Sequence, residues 1–319
     1  MKTVGLLQYG GPEVLRIIER PTPHAGEGEV RIRVRAAAVN PVDTLIVAGT
    51  SLVRLSGPNP VIPGLDVAGT VDEIGSGANS GLALGDRVMA MVNPTRPEGG
   101  GYAQWVVLPA SWVVRAPAGS THAEAATLPM NGLTALHALD QLHLPPGSTL
   151  AVTGAAGAVG GYAVQLAKAA GHRVLADAAP HDTDLVAALG ADEVVTRGPD
   201  VAELFRVLAP GGVDAAIDAA VVGTPLTGAI RPGGALAYVR ELPDQQAFAK
   251  TAGQLGITLV PAFVHAYDGR RDKLDYLRRL AEMGALTLRV AALFPPERTS
   301  RAHRLLAAGG VRGRLVIEF

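Results

Sequence analysis

The chain has 319 residues, of which 28 are Lys or Arg, 29 are Asp or Glu and none is Cys. The length predicts two domains, and balanced charge without a Lys- and Arg-rich stretch argues against binding to nucleic acid or an anionic membrane surface. The absence of cysteine excludes disulfides, thiolate metal sites and a cysteine nucleophile.

The N-terminal segment MKTVGLLQYGGPEVL lacks the apolar core and the cleavage site of a signal peptide. The longest apolar runs, such as GITLVPAFVHA, are too short and too interrupted to span a bilayer. We therefore expect a cytoplasmic protein with no membrane partner and no nucleic-acid partner.

Strand-forming segments follow one another through the first third of the chain. β-branched residues bounded by Gly, Pro, Asn and Asp predict strands in TVGLLQY, EVRIRVRAAAVN, GTVDEIGSG, DRVMAMV and YAQWVVLPASWVVRAP. Val30, Ile32 and Val34 alternate with arginines, which indicates a strand with one solvated face.

The pattern changes near residue 122. The segment THAEAATLPMNGLTALHALDQL is predicted to be helical, with Thr121 as N-cap and Glu124 at the spacing of a capping box. Apolar strands then alternate with helices, which predicts a parallel sheet covered on both faces. The predicted strands are STLAVTG, RVLADA, DEVVT, VDAAIDA, GALAYV and ITLVPAFV, and the predicted helices are GGYAVQLAKAAG, DLVAALG, DVAELFRVLA and TPLTGAIRP.

The end of the chain departs from this alternation. After about residue 265 an amphipathic helix is followed by a last helix and strand, TSRAHRLLAAGGVRGRLVIEF. Since this segment has no place in the doubly wound pattern, we expect it to pack on the first part of the chain. The predicted class is α/β, with a β-rich domain (1–122 and 266–319) and an inserted doubly wound Rossmann domain (123–265).

A glycine turn joins the strand STLAVTG to the next helix. Glycine in a tight turn permits positive φ and close approach of backbone N–H groups to a pyrophosphate, and the helix N-terminus favours the anion. The order is G-x-x-G-x-x-G rather than G-x-G-x-x-G, so tight packing alone is the alternative. The predicted cofactor-binding residues of this turn are Gly154, Ala155, Ala156, Gly157, Ala158, Val159 and Gly160.

Two charged residues bear on the choice of cofactor. Asp177 ends the second strand of this unit, near the interval at which an acid meets the ribose hydroxyls, which favours NAD. Arg197 follows the third strand and is the group that would reach a 2′-phosphate, so NADP stays open.

The motifs taken together resemble the zinc-independent quinone oxidoreductases of the medium-chain dehydrogenase/reductase superfamily. The resemblance covers essentially the whole chain and rests on ten segments. These are AAAVNPVDTLIVAG, PVIPGLDVAGTVDEIGSG, LGDRVMAM, GGYAQWVVLPA, TLPMNGLTALHAL, TGAAGAVGGYAVQLAKAAG, LGADEVV, GVDAAIDA, RPGGALAYV and GGVRGRLVIEF. The resemblance implies that the β-rich domain is a GroES-like catalytic domain.

Residues that zinc alcohol dehydrogenases of this superfamily use are missing. Those enzymes place Cys at the position of Asn40 and a His-Glu pair at Leu65 and Asp66, and they carry a four-cysteine lobe where this chain has NPTRPEGGG. Since leucine does not ligate zinc, we expect no zinc site, and a zinc alcohol dehydrogenase is nearly excluded. Alcohol oxidation uses the zinc ion to stabilise an alkoxide. Hydride addition to a quinone or an activated alkene depends less on a metal ion, because conjugation spreads the negative charge and water supplies the proton.

The resemblance also implies which other residues serve the reaction. Asn40 and Asp43 are expected beside the nicotinamide at the domain cleft, as catalytic residues that bond the cofactor or substrate and fix the loop. Tyr238 is the candidate proton donor. The further residues expected at the cofactor are Asn131, Thr134, Ala219, Ala220, Val221, Tyr238 and Val239.

Two positions differ from the family pattern. Leu45 stands where many members have a Tyr that orients or protonates substrate, and Arg197 stands where many have a Tyr that stacks on adenine. The resemblance implies NADPH, which members of this family usually use, whereas the charge of Asp177 favours NADH. We expect NADPH and keep NADH as the alternative.

The sequence therefore predicts a metal-free, NAD(P)H-dependent reductase of quinones or α,β-unsaturated carbonyls. An enoyl-thioester or enone reductase of the same fold and a non-catalytic NADPH-binding sensor are the alternatives, and loops such as residues 49–60 are expected to select the substrate. The apolar strands GALAYV and ITLVPAFV would leave an open sheet edge, so we expect a homodimer paired there.

Overall fold

The computed structural model describes residues 1–51, 60–242 and 244–319. Most of the loop expected to select substrate, residues 52–59, lies outside these ranges. The strands are β1 (Lys2–Gly5), β2 (Arg16–Glu19), β3 (Glu29–Val39), β4 (Asp66–Ile74), β5 (Arg87–Met91), β6 (Trp105–Pro109), β7 (Val114–Arg115), β8 (Thr149–Thr153), β9 (Arg173–Ala178), β10 (Glu193–Thr196), β11 (Val213–Asp218), β12 (Ile230–Tyr238), β13 (Thr258–Pro261), β14 (Val290–Phe294) and β15 (Arg314–Glu318). The α-helices are α1 (Pro41–Ala48), α2 (His122–Ala126), α3 (Pro129–Leu142), α4 (Ala158–Ala169), α5 (Thr183–Ala188), α6 (Val201–Leu208), α7 (Gln245–Gln254), α8 (Arg271–Glu282) and α9 (Thr299–Ala308).

The chain forms two compact units. The first comprises Met1–Met130, Tyr267–Glu282 and Leu288–Phe319, and the second comprises Asn131–Ala266 and Met283–Thr287. These limits differ from the predicted ones at residues 123–130, at residue 266 and at residues 283–287. Helix α2 belongs to the first unit because it packs against β3, β4 and β5. The segment 283–287 belongs to the second, where the Thr287 amide donates to Gln165 Oε1 at 2.8 Å.

The first unit is built on a mainly antiparallel sheet of order β14-β15-β3-β4-β5-β7, with β6 also paired to β3 and a separate β1-β2 hairpin. Val30, Ile32 and Val34 of β3 are buried, whereas Arg31, Arg33 and Arg35 are not, as the alternation predicts. The last strand, β15, pairs antiparallel with β3, so the chain end completes this sheet. The expected packing of the chain end on the β-rich domain is thereby confirmed.

The second unit is a parallel sheet of order β10-β9-β8-β11-β12-β13. The chain winds outward from β8 in one direction through β9 and β10, and then in the other through β11, β12 and β13. The order therefore reverses between β8 and β11, and the carboxyl ends of strands at such a switch point form the crevice where doubly wound folds bind nucleotides. The expected Rossmann domain is confirmed.

Several local predictions need correction. The predicted strand YAQWVVLPASWVVRAP is divided into β6 and β7 by a 3-10 helix, Ala110–Trp112, and strand β2 and helices α1 and α7 were not predicted. The single helix expected from residue 121 is two helices, α2 and α3, because Pro129 disfavours helical geometry at the preceding residue. The segment TPLTGAIRP contains a 3-10 helix, Thr224–Ala229, rather than an α-helix. Strand β14, which pairs parallel with β15, was not predicted. The capping box is confirmed, since the Glu124 amide donates to Thr121 Oγ1 at 3.1 Å.

Within the described ranges, the structure contains no helix that combines the length and the apolar character of a membrane span.

Candidate functional site

The glycine turn lies between β8 and α4, at the switch point of the parallel sheet. Gly154 has φ +71°, a conformation that side chains disfavour. A Cβ on Gly160 would overlap the carbonyl of Gly154, so only glycine lets α4 start this close to the strand. The first amides of α4 have no acceptor within the helix. The turn is thus a small, donor-rich cradle that fits the pyrophosphate of a dinucleotide.

The loop after β11 lies against this turn. A Cβ on Gly154 would come within 3.0 Å of the Ala219 carbonyl carbon and 3.1 Å of the Ala220 amide nitrogen. The next residue, Val221, has φ +62°. The structure thus brings together the glycine turn and the three residues predicted at the cofactor after β11.

Asp177 and Arg197 meet at the ends of neighbouring strands β9 and β10. Asp177 Oδ2 accepts from Arg197 Nε at 2.9 Å, and Oδ1 accepts from Arg197 Nη2 at 3.2 Å. Asp177 Oδ1 also accepts from the Gly154 amide at 2.6 Å. The side chain of Asp177 is 1% exposed, whereas that of Arg197 is 42% exposed. The carboxylate therefore bonds its own chain, and the guanidinium is the exposed group of the pair.

Tyr238 and Val239 follow each other at the end of β12. The Tyr238 ring packs edge-on against Phe248 and Phe263, at centroid distances of 5.7 and 5.9 Å. Its hydroxyl accepts from Gln245 Nε2 at 3.1 Å, which leaves the phenolic proton available to a further acceptor. Val239 is half-buried.

Asn131 and Thr134 lie on α3 in the second unit, and both are buried. Their expected contact with the cofactor stays a prediction.

In the first unit, Asn40 and Asp43 form the N-terminus of α1. Asp43 Oδ2 accepts from the Asn40 amide and Oδ1 accepts from the Gly64 amide, both at 2.8 Å. Both side chains are fully buried. Asp43 therefore ties the start of α1 to the segment before β4, which positions Asn40. The catalytic roles expected of Asn40 and Asp43 stay predictions.

Asp66 was not predicted as a functional residue. Its Oδ2 accepts from Asn40 Nδ2 at 2.7 Å and its Oδ1 accepts from the Met130 amide at 2.6 Å. Burial raises the pKa of Asp66 to about 7 and that of Asp43 to about 6. The hydrogen bonds that each carboxylate accepts oppose this rise, and the positive charge of Arg314 opposes it to a smaller extent. The signal that would have identified Asp66 is its hydrogen bond, as a buried acid, to the side-chain amide of Asn40, which was predicted to belong to the site.

Tyr102 and His303 extend this buried cluster. Tyr102 bonds Asp43 through its side chain, and its hydroxyl lies 3.2 Å from His303 Nε2. Burial raises the pKa of Tyr102 well above its ordinary value and lowers the pKa of His303 to about 4, so both are neutral near pH 7. We refer to Asn40, Asp43, Asp66, Tyr102, His303 and Arg314 as the buried polar cluster.

The donor set offers little to a transition metal. Among residues 1–51, 60–242 and 244–319, no three His, Cys, Asp or Glu side chains are arranged to hold an ion. Leu65, at the position of the zinc-binding His, is 1% exposed and lies in the apolar core.

Family models match both parts of the chain. The alcohol dehydrogenase GroES-like domain matches residues 26–118, and a domain described as zinc-binding dehydrogenase matches residues 189–317. A quinone oxidoreductase from Lama guanicoe is 30% identical over 336 residues, covering 99% of this chain and 97% of the relative. A chloroplast envelope quinone oxidoreductase homolog from Arabidopsis thaliana is 39% identical over 207 residues, or 61% of each chain. The match thus spans about three fifths of that chloroplast relative's length.

Solved structures match over the full length. A mycobacterial protein, Rv1454c, complexed with NADPH has a TM-score of 0.85 at 27% identity, covering 100% of both chains. An NAD-dependent alcohol dehydrogenase has a TM-score of 0.89 at 30% identity, also covering 100% of both chains. The same fold therefore serves proteins described with either nicotinamide cofactor.

Proposed function

The chain belongs to the quinone oxidoreductase family of the medium-chain dehydrogenase/reductase superfamily, and we propose that it is a zinc-independent, NADPH-dependent reductase of quinones or α,β-unsaturated carbonyls. The observation that carries this proposal is the glycine cradle at the switch point of the parallel sheet. Its shape depends on residues without side chains at Gly154 and Gly160, where any Cβ would be strained or would overlap backbone.

The pairing of Asp177 with Arg197 favours NADPH over NADH. A carboxylate that reads a ribose diol must accept hydrogen bonds from it, but three of the about four acceptor positions of Asp177 are already used by Gly154 and Arg197. Its side chain is also only 1% exposed. The half-exposed guanidinium of Arg197 suits a 2′-phosphate, which it binds through charge-assisted hydrogen bonds. The acid that argued for NADH in the sequence is thus occupied.

NADPH, when bound, supplies the hydride. The cradle of Gly154 to Gly160 would hold its pyrophosphate, and Arg197 would hold its 2′-phosphate. In the first unit, Asp43 accepts from the backbone amide of Asn40, and Asp66 accepts from its side-chain amide. The two hydrogen bonds hold the side chain of Asn40 in one orientation. Tyr238 keeps a phenolic proton that Gln245 does not use, which makes it the residue to test as proton donor.

The proposal that the enzyme needs no zinc comes from the chemistry of the available ligands. The chain has no thiolate, and Leu65 takes the place of a His ligand. Reduction of a conjugated carbonyl needs no metal to hold an alkoxide, since the substrate delocalises the charge that hydride brings. We expect turnover to survive dialysis against a strong chelator.

The test begins with separate titrations of NADPH and NADH, followed by nicotinamide fluorescence, and then adds 1,4-benzoquinone or an enone to each complex. We expect NADPH to bind more tightly and at least one acceptor to be reduced above the enzyme-free rate. Gly160→Val, whose side chain would overlap the backbone of the glycine turn, is expected to abolish binding of both nucleotides. Gly253→Val serves as the matched control, because Gly253 is exposed on α7 of the same unit, has no positive φ and has open space where a Cβ would lie. Binding without turnover would favour the sensor alternative, and binding of neither nucleotide would overturn the proposal.

A further inference from the structure

The loop after β11 contains a backbone conformation that its sequence disfavours. Val221 has φ +62°, and among the described residues the other non-glycine residue with positive φ is His143. A β-branched residue is an outlier in this region, because its side chain crowds the backbone. Such strain persists only where surrounding contacts impose it, and it concentrates at functional sites.

The contacts that impose this conformation converge on Asp218, the last residue of β11. Its Oδ1 accepts from the Val222 amide at 3.0 Å and from the Ala220 amide at 3.3 Å, and its Oδ2 accepts from the Gly223 amide at 2.8 Å. Backbone amides on both sides of Val221 are therefore held by one side chain, which is 1% exposed.

Asp218 also ties this loop to the glycine turn. Thr153, the last residue of β8, donates its hydroxyl to Asp218 Oδ1 at 2.7 Å. The same Thr153 hydroxyl oxygen lies 3.3 Å from the Ala220 amide, which donates to it. Thr153 immediately precedes Gly154, so the two loops at the switch point share one hydrogen-bonded centre.

We propose that Asp218 is a positioning residue for the cofactor: it holds Val221 in the left-handed conformation and thereby sets the loop 219–223 against the glycine turn in the shape that binds the nicotinamide nucleotide. This inference rests on the proposed function and assigns to it a residue that does not itself touch the ligand. Asp218 acts through the backbone of the loop, and Thr153 fixes the orientation of its carboxylate.

The test is a double-mutant cycle between Asp218→Asn and Val221→Gly, read out as the Kd of NADPH by fluorescence titration. Asparagine keeps one acceptor oxygen and turns an NH2 group toward the loop amides, so the loop relaxes away from the strained conformation. The apparent Kd rises as the inverse of the fraction of molecules whose loop is competent, and we expect about a tenfold increase.

Glycine adopts positive φ without strain, so Val221→Gly removes the conformational strain that the hydrogen bonds of Asp218 otherwise offset. In the Asp218→Asn background, Val221→Gly should recover most of the lost affinity, to within about threefold of the unsubstituted chain. His143→Gly is the matched control, because it relieves positive φ at an exposed residue before β8. It should leave the Kd of Asp218→Asn unchanged even if it raises Tm.

The outcomes separate this inference from the proposed function. If the unsubstituted chain does not bind NADPH, the proposed function fails. If it binds but Val221→Gly gives no recovery, or His143→Gly recovers as much, Asp218 has only a general stabilising role and the inference is overturned. Should Asp218→Asn lack a cooperative thermal transition, Thr153→Val replaces it in the cycle, with the same recovery expected from Val221→Gly.

Discussion

At the end of β9, the carboxylate of Asp177 is surrounded by donors from its own chain. Its hydrogen bonds to Gly154 and Arg197 leave the guanidinium as the exposed group of the pair. Replacing Arg197 with Ala should weaken NADPH by about tenfold or more, since hydrogen bonds to charged groups contribute about 1.5–3 kcal/mol. NADH should be weakened far less, or should gain, because Asp177 is then free to accept from a ribose.

The ratio of the two dissociation constants, measured by fluorescence titration, checks this prediction. Arg173→Ala is the matched control: Arg173 stands at the opposite end of β9, pairs with Glu193 on β10 and is 40% exposed. It should change neither constant. Equal weakening of NADPH and NADH by Arg197→Ala would show that Arg197 does not read the 2′-phosphate.

The buried polar cluster makes a separate prediction about pH and stability. Asp66, with a pKa of about 7, keeps a proton that the unfolded chain releases above about 3.8, so its contribution to the free energy of unfolding rises as pH falls from 7 to 4. His303, with a pKa of about 4, refuses a proton that the unfolded chain takes up below about 6.5, so its contribution falls over the same range.

Urea unfolding between pH 7 and pH 4 tests both signs. Asp43, with a pKa of about 6, adds a gain of the same sign as Asp66. Asp66→Asn should therefore remove only the share of the gain that comes from Asp66, and His303→Gln should remove the loss, by up to about 1.4 kcal/mol per pH unit for each proton. The two slopes must change in opposite directions relative to the unsubstituted chain. A common direction would mean that one of these groups is ionised differently from the buried state described.

At the scale of the elements, local patterns in the sequence predicted most of the fold. The capping box at Thr121, the glycine turn and the alternation in β3 depend on residues a few positions apart, and all three elements form where they were expected. Strand β14 was not predicted because its sequence, VAALF, is apolar throughout and shows no apolar–polar alternation. The exposure of these residues alternates only once the strand is paired with β15. The 3-10 helix at 224–229 likewise follows from its place between β11 and β12 rather than from propensity.

The site was harder to predict from the sequence than the fold, because its residues make contacts across long distances in the chain. Tyr102 and His303 are 201 positions apart, and Asp66 and Met130 are 64 apart, so no spacing rule connects them. The sequence identified both Asp177 and Arg197 as candidate cofactor-binding residues, but it did not show that they pair with each other. Because of that pairing, Asp177 is no longer an argument for NADH. Sequence supplied the residue types, whereas the topology decided which of them are already satisfied by each other.

At the scale of the whole molecule, the sheet of the second unit ends at β13, which pairs with β12 on one side. An exposed edge strand is a template for pairing with a second copy, and a two-fold axis would place the two β13 strands side by side. We expect a homodimer through this edge. Thr258→Lys places a positive charge on the β13 edge of each copy and should convert the dimer to monomer, most completely at low salt where repulsion is least screened.

Size-exclusion chromatography with light scattering at two salt concentrations measures this change. Leu293→Lys is the matched control, since Leu293 is 51% exposed on β14, the edge strand of the other sheet. It should leave the mass unchanged, because that edge belongs to the first unit and has no part in the expected contact. A monomeric unsubstituted chain, or a dimer that Leu293→Lys disrupts and Thr258→Lys does not, would assign the β13 edge no role in assembly and the apolar strands β12 and β13 a role in the core alone.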